Sequence, residues 1–411
     1  MSHVAAWAST ARPHQWNGTA VLPDRLEPNW AIIFQGAKIR WVGPAAQVPP
    51  RWQGSRDTTP PGTRFLAPGL IDVHCHGGGG VSFPEATDLD QVTAAANEHL
   101  QHGTTTLVAS LVADKIGVME RQAGLLADAA EAEIIAGIHF EGPFLAPSRS
   151  GAQTQKHLRE AQPEVMLRLL ESSRGAALSM TIAPERVVTR EGREALNVLI
   201  AAGAIPSWGH TDAGAEDTET AITWGIDLLH NPTHPGVERA TVTHLFNGMR
   251  PLHHRETGPI ACFLAAAAQG HLVLEMVMDG VHVEPHLFTH VLTLVGRGAL
   301  ILTTDAMAAA GMPDGSYQLG SQAVTVKGGI ARLSKVNTLA GSTAHLLDCV
   351  RVCVHQAGVS LVDAIYLAST QGARTFGWSD RGEIRVGAKA DLLALDGDLR
   401  PAGVVRGGEG V

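Results

Sequence analysis

The chain has 411 residues, 45% hydrophobic and 17% charged with 45 glycines, which describes a globular, enzyme-like protein rich in turns and large enough for two or three domains. A net charge of −9 excludes a general nucleic-acid binder, whose phosphate contacts need a basic surface, but not a small anion held by one or two local Arg or His residues. Four cysteines are too few for a disulfide scaffold, and the longest apolar candidate, residues 260–268, is far short of a membrane span.

The opening residues, MSHVAAWASTARPHQWNG, lack the basic start and continuous apolar run of a secretory signal, so a cytoplasmic location is expected. Residues 1 to about 65 read as short strands at 19–22, 30–34 and 38–42, followed by a Pro-rich stretch. Strand character of this kind returns at 382–396. Residues 1–65 plus 375–411 are therefore expected to form one small β-sandwich domain.

Between them, over 66–374, strands and helices alternate. Residues 66–76 lead to an amphipathic helix at 89–102, stopped by Gly103. A β-branched strand at 104–111 precedes a helix at 115–132. Further strands at 134–144, 178–184, 205–211, 240–247, 271–283 and 299–307 bring the count to eight. Eight repeats with polar residues gathered at strand ends predict a (β/α)8 TIM-like barrel, whose active site lies at the C-terminal face. An open doubly wound sheet is the competing reading, but the glycines at 77–80 lack the spacing of a phosphate loop. Two loops, 228–238 and 312–337, interrupt the pattern; the second contains a hairpin signal, AVTVKGGIARL.

The stretch GLIDVHCHGGGG, residues 69–80, places Asp72, His74 and His76 on one strand face. Other strand ends carry Glu141, His210 with Asp212, His244 with Asn247, Asp279 with His282, and Asp305. Any one of these histidines, taken alone, is more often a structural hydrogen-bonding residue than a ligand. Together, around one barrel mouth, they form the imidazole and carboxylate set that a divalent transition metal requires.

The motifs PGLIDVHCHG, HFEGPF, GHTDA, THLFNGM, DGVHV, TTDAM and LAGS, followed by GEIRVGAKADLLALD, resemble those of the N-acetylglucosamine-6-phosphate deacetylases of the amidohydrolase superfamily. The resemblance runs over nearly the whole chain. It implies a barrel that uses one or two divalent metals of the Zn, Fe, Mn or Co class, an amino-sugar phosphate substrate and a homodimer. It also implies that Glu141, His210 and His244 hold the principal metal, and that His74 and His76 support a second, bridged by Glu141 with Asp305 nearby. Asp305 resembles the catalytic acid/base, Asn247 and Gly248 the phosphate-binding turn, His282 a sugar-phosphate contact, and Arg255 the arginine that reaches the phosphate from the partner subunit.

The chemistry agrees with these roles. Metal coordination acidifies a bound water, whose hydroxide attacks the acetamide while Asp305 takes the proton and delivers it to the leaving amine. One position departs from the pattern: Gln153 stands where a histidine usually polarises the substrate carbonyl. Gln153 offers a neutral hydrogen bond in its place, with His157 as another candidate donor, and losing one such donor costs about 10²–10³ in rate. Three alternatives follow: the same hydrolysis on the galactosamine epimer, another amidohydrolase on the same barrel such as an N-acyl amino acid deacylase, or a sugar-phosphate binding protein that has lost turnover.

Overall fold

The segment LVLEMV, Leu272–Val277, is buried at every position, as expected of a strand covered on both faces. In the computed structural model, which describes residues 12–230, 239–336 and 338–411, it is the seventh strand of an eight-stranded sheet. The others, in order, are Leu70–Cys75, Thr104–Val112, Gly137–Glu141, Ala177–Ile182, Ile205–Trp208, Ala240–Val242 and Leu300–Thr303. Neighbours run parallel from the second strand to the eighth. The eighth returns to the first through a parallel bridge between Cys75 and Ala306. Asp305 N–H donates to the His74 carbonyl at 2.9 Å, and His76 N–H donates to the Ala306 carbonyl at 2.7 Å. The fold is the expected eight-stranded barrel.

Helices separate the strands: Leu89–Gln101 and Ile116–Glu131, close to the ranges expected from the sequence, then Pro163–Ser172, Arg190–Ala201 and Ala215–Leu229. Local chemistry sets their ends. Gly103, at φ +98°, stops the first, and the Thr189 hydroxyl accepts from Gly192 N–H at 3.0 Å to cap Arg190–Ala201.

Several strands are shorter than alternation suggests. The fifth, sixth and eighth stop before His210, His244 and Asp305 because these residues have φ of +48°, +27° and +49°. Left-handed backbone cannot continue a strand, and in residues other than glycine it is uncommon and often found at functional sites.

By its internal contacts the chain forms two compact units. One comprises the described part of residues 1–72 with 99–106 and 346–411; the other comprises 73–98 with 107–345. The first unit contains a sheet of eight strands drawn from both chain ends. Leu392–Leu395 pairs with Phe65–Pro68, which pairs with His14–Val21, followed by Leu26–Gln35 and Lys38–Pro44. Its core includes Trp16, Ile32, Phe34, Leu66, Leu392 and Val405. Of residues 382–396, read as strand throughout, only 392–395 are, because Gly382 and Gly387 turn the chain at φ +80° and +88°.

In the second unit, the excursion after the eighth strand is a three-stranded antiparallel meander: Gly315–Leu319, Gln322–Lys327 and Ile330–Leu333. It contains the expected hairpin plus one more strand. Its apolar side packs on Met307 and Ala308, directly after Asp305. Of the loop at 228–238, residues 231–238 lie outside the described residues, as do residues 1–11 at the start of the chain. All four cysteines are buried free thiols. Among the described residues, no helix is long and apolar enough to cross a membrane.

Candidate metal centre

The third strand ends on Glu141, whose carboxylate lies among histidines from three other strand ends. Its Oε1 is 2.8 Å from His210 Nε2 and 2.9 Å from His244 Nε2, and those two nitrogens are 3.1 Å apart. Its Oε2 is 3.1 Å from His76 Nε2. His76 Nε2 in turn lies 3.1 Å from His74 Nε2 and 3.3 Å from Asp305 Oδ1. Two groups that could hold a metal ion result, Glu141–His210–His244 and His74–His76–Asp305, with one oxygen of Glu141 facing each. All six side chains are buried.

This donor set fits divalent cations. His210 Nδ1 is 2.8 Å from the Arg149 carbonyl and His76 Nδ1 is 3.2 Å from the Ser110 carbonyl. A carbonyl only accepts, so each ring carries its proton on Nδ1 and presents an Nε2 lone pair inward. Lone pairs converging at 3.1 Å repel unless a cation or proton lies between them. Burial disfavours a charged His76, yet the hydrogen bonds and charges of Asp305 and Glu141 outweigh it and lift the ring to about 10. Burial likewise opposes the charged carboxylates, but His210, with His244 and His76, holds Glu141 well below the usual range. The pocket favours positive charge, which a divalent ion would supply at the same place.

The centre opens into a cavity of about 300 Å³ that Gln153, Asn247, Gly248 and His282 help to line. Gly248 has φ +61°, and a Cβ there would lie 2.7 Å from His210 Nδ1; the turn therefore requires glycine for its backbone and for its approach to the imidazole. His282 Nδ1 is 2.7 Å from Asp279 Oδ2. Burial lowers its pKa, but Asp279 outweighs this and leaves it raised. Asp279 thus makes this imidazole, which helps to line the cavity, hold its proton more tightly.

Gln153 does not face the cavity as a free donor. Its Oε1 accepts from Ala113 N–H at 2.8 Å, and its Nε2 donates to Glu141 Oε2 at 2.5 Å. One amide N–H is committed to Glu141, which leaves the second outside that bond. His157 is buried with Nε2 3.3 Å from Asp114 Oδ1 and is not among the residues lining the cavity. Arg255 lies on an exposed turn spanning 251–257 and does not line this chain's own cavity. Sequence reasoning missed Glu275, buried in the seventh strand with Oε2 3.2 Å from His74 Nδ1. Its signal was a single carboxylate in an otherwise apolar strand.

Residues 65–410 match the amidohydrolase family. The chain is 33% identical over 360 residues to an N-acetylglucosamine-6-phosphate deacetylase of Bacillus subtilis, covering 85% of both chains. It is 32% identical over 346 residues to an N-acetylgalactosamine-6-phosphate deacetylase of a Shewanella species, covering 84% of this chain and 82% of that protein. Among solved structures it is similar to a mutant N-acetyl-D-glucosamine-6-phosphate deacetylase of Mycobacterium smegmatis in complex with N-acetyl-D-glucosamine-6-phosphate. The TM-score is 0.86 at 35% identity, covering 97% of this chain and 98% of that one.

Proposed function

The chain belongs to the amidohydrolase family, and from that premise we propose that it removes the acetyl group of N-acetyl-D-glucosamine 6-phosphate, giving D-glucosamine 6-phosphate and acetate. The observation that carries this reading is Glu141 placed between two histidine-containing ligand sets, beside a cavity lined by Asn247, Gly248, His282 and Asp305. Glu141, His210 and His244 would hold one divalent cation, and His74, His76 and Asp305 a second. Such an ion supplies a water acidified towards neutrality and a Lewis acid for the amide carbonyl.

The chain's own residues do the rest. Asp305 Oδ1, beside His76 and at the cavity wall, takes a proton from the attacking water and returns it to the departing amine, which leaves slowly as an anion. The free N–H of Gln153 meets the oxygen that gains charge. His282 and the backbone N–H of Gly248, in the turn after His244, hold the sugar phosphate, and that remote binding energy fixes the amide in register. Four buried free thiols favour a reducing, cytoplasmic setting.

The relatives named for the gluco and galacto substrates are equally similar, at 33% and 32% identity, so the epimer is the second reading. Acetate release from the two N-acetyl sugar 6-phosphates and from an N-acyl amino acid separates the options. The gluco substrate is expected to give the highest kcat/KM; preference for the galacto epimer would move the assignment to it. Binding of either sugar phosphate without turnover would refute the enzyme reading.

The exposed position of Arg255, away from the residues lining its own cavity, supports a homodimer in which it reaches the partner's phosphate site. Arg255→Ala and Asp305→Asn are then each impaired alone, but mixing them restores about a quarter of the sites. Half the dimers are mixed, and each of these carries one intact site. No recovery after subunit exchange would place Arg255 in its own subunit's site or outside the site altogether.

A further inference from the structure

Beneath the two ligand sets lies a carboxylate that no step above uses. Glu275 is the single charged residue of Leu272–Val277 and is 1% exposed. A buried carboxylate is costly unless hydrogen-bonded. Glu275 meets His74 Nδ1 at 3.2 Å through Oε2 and accepts from Ser207 Oγ at 3.4 Å through Oε1. From Ser207 a polar chain crosses the barrel interior: Oγ to Thr243 Oγ1 at 2.6 Å, on to Thr181 Oγ1 at 2.8 Å, then to His139 Nε2 at 3.0 Å. Every member is buried. Apolar side chains usually fill a barrel core, so this chain retains groups that packing alone does not require.

We infer that Glu275 is a positioning residue that determines whether the second cation site, His74–His76–Asp305, fills; the inference rests on the two-cation reading above. His74 can offer its Nε2 lone pair only if Nδ1 keeps the proton and aims it at an acceptor. Backbone carbonyls perform this task for His76 and His210. His74 alone among these three is oriented by a side-chain carboxylate, which also makes the imidazole a stronger donor and offsets cation charge. Among the described residues, the side chains of Glu141, His210 and His244 make no hydrogen bond to the Glu275 side chain, so the first site does not depend on it.

The test titrates metal-stripped wild type, Glu275→Gln and Glu275→Leu with Co(II), following stepwise affinity by calorimetry, stoichiometry by elemental analysis and ligand-field absorption by visible spectroscopy. Wild type is expected to take two ions per chain. Both variants should keep the first and bind the second about 10–100-fold more weakly, the range for removing a partner that orients a metal ligand. Gln should be the milder change, since its carbonyl still accepts from Nδ1–H. Unchanged second-site affinity in both variants would overturn the inference. So would equal weakening of both sites in a Gln variant that retains a cooperative thermal transition. A wild type that holds a single ion would refute the two-cation reading itself, a result visible before any substitution is made.

Discussion

Asp305→Asn is expected to lower kcat by about 10²–10⁴-fold, the contribution of a positioned general acid/base, or about 3–5 kcal/mol of transition-state stabilisation. Asparagine is the informative replacement because Asp305 sits at φ +49°, and Asn adopts left-handed backbone more readily than other residues with a side chain, so the turn should survive. The variant loses the group that accepts and returns the proton, yet keeps an oxygen near His76. The ion at Glu141–His210–His244 and the affinity for sugar phosphate should therefore be retained. Steady-state kinetics with elemental analysis checks this. A kcat close to wild type removes Asp305 from the chemistry.

Glu141→Gln is expected to have a similarly large effect, a loss of about 10³-fold or more in kcat/KM, together with loss of bound metal. The carboxylate is within 2.8–3.1 Å of Nε2 of three histidines and, of the six candidate ligands, it alone has an oxygen towards each group. Gln preserves volume and one acceptor, so the fold should remain. Removing the charge leaves the imidazoles without the anion that makes a cation favourable there. Full metal content in this variant would show that Glu141 does not organise the centre.

Much of the site was legible because its residues lie at strand ends, where an eight-fold repeat brings distant segments to one mouth. That placement gathered His74, His76, Glu141, His210, His244 and Asp305 along with Asp212, Asn247, Asp279 and His282; the family resemblance singled out the six, which the structure brings together as two groups of three. Strand lengths were less legible. Alternation cannot register a left-handed residue, so His210, His244 and Asp305 read as strand although each turns the chain out of it. Glu275 escaped because one carboxylate in an apolar strand has no period, and its partner His74 is 201 residues away in the chain. The commitment of Gln153 to Glu141 also depends on a loop conformation rather than on spacing.

Acetate release measured against equivalents of metal returned to stripped protein tests the central claim most directly. Convergent histidines and carboxylates acting through bound cations predict no turnover above background in stripped protein. Activity should then rise with added metal and level off at two equivalents per chain. Undiminished acetate release by protein shown to contain no metal would contradict the account.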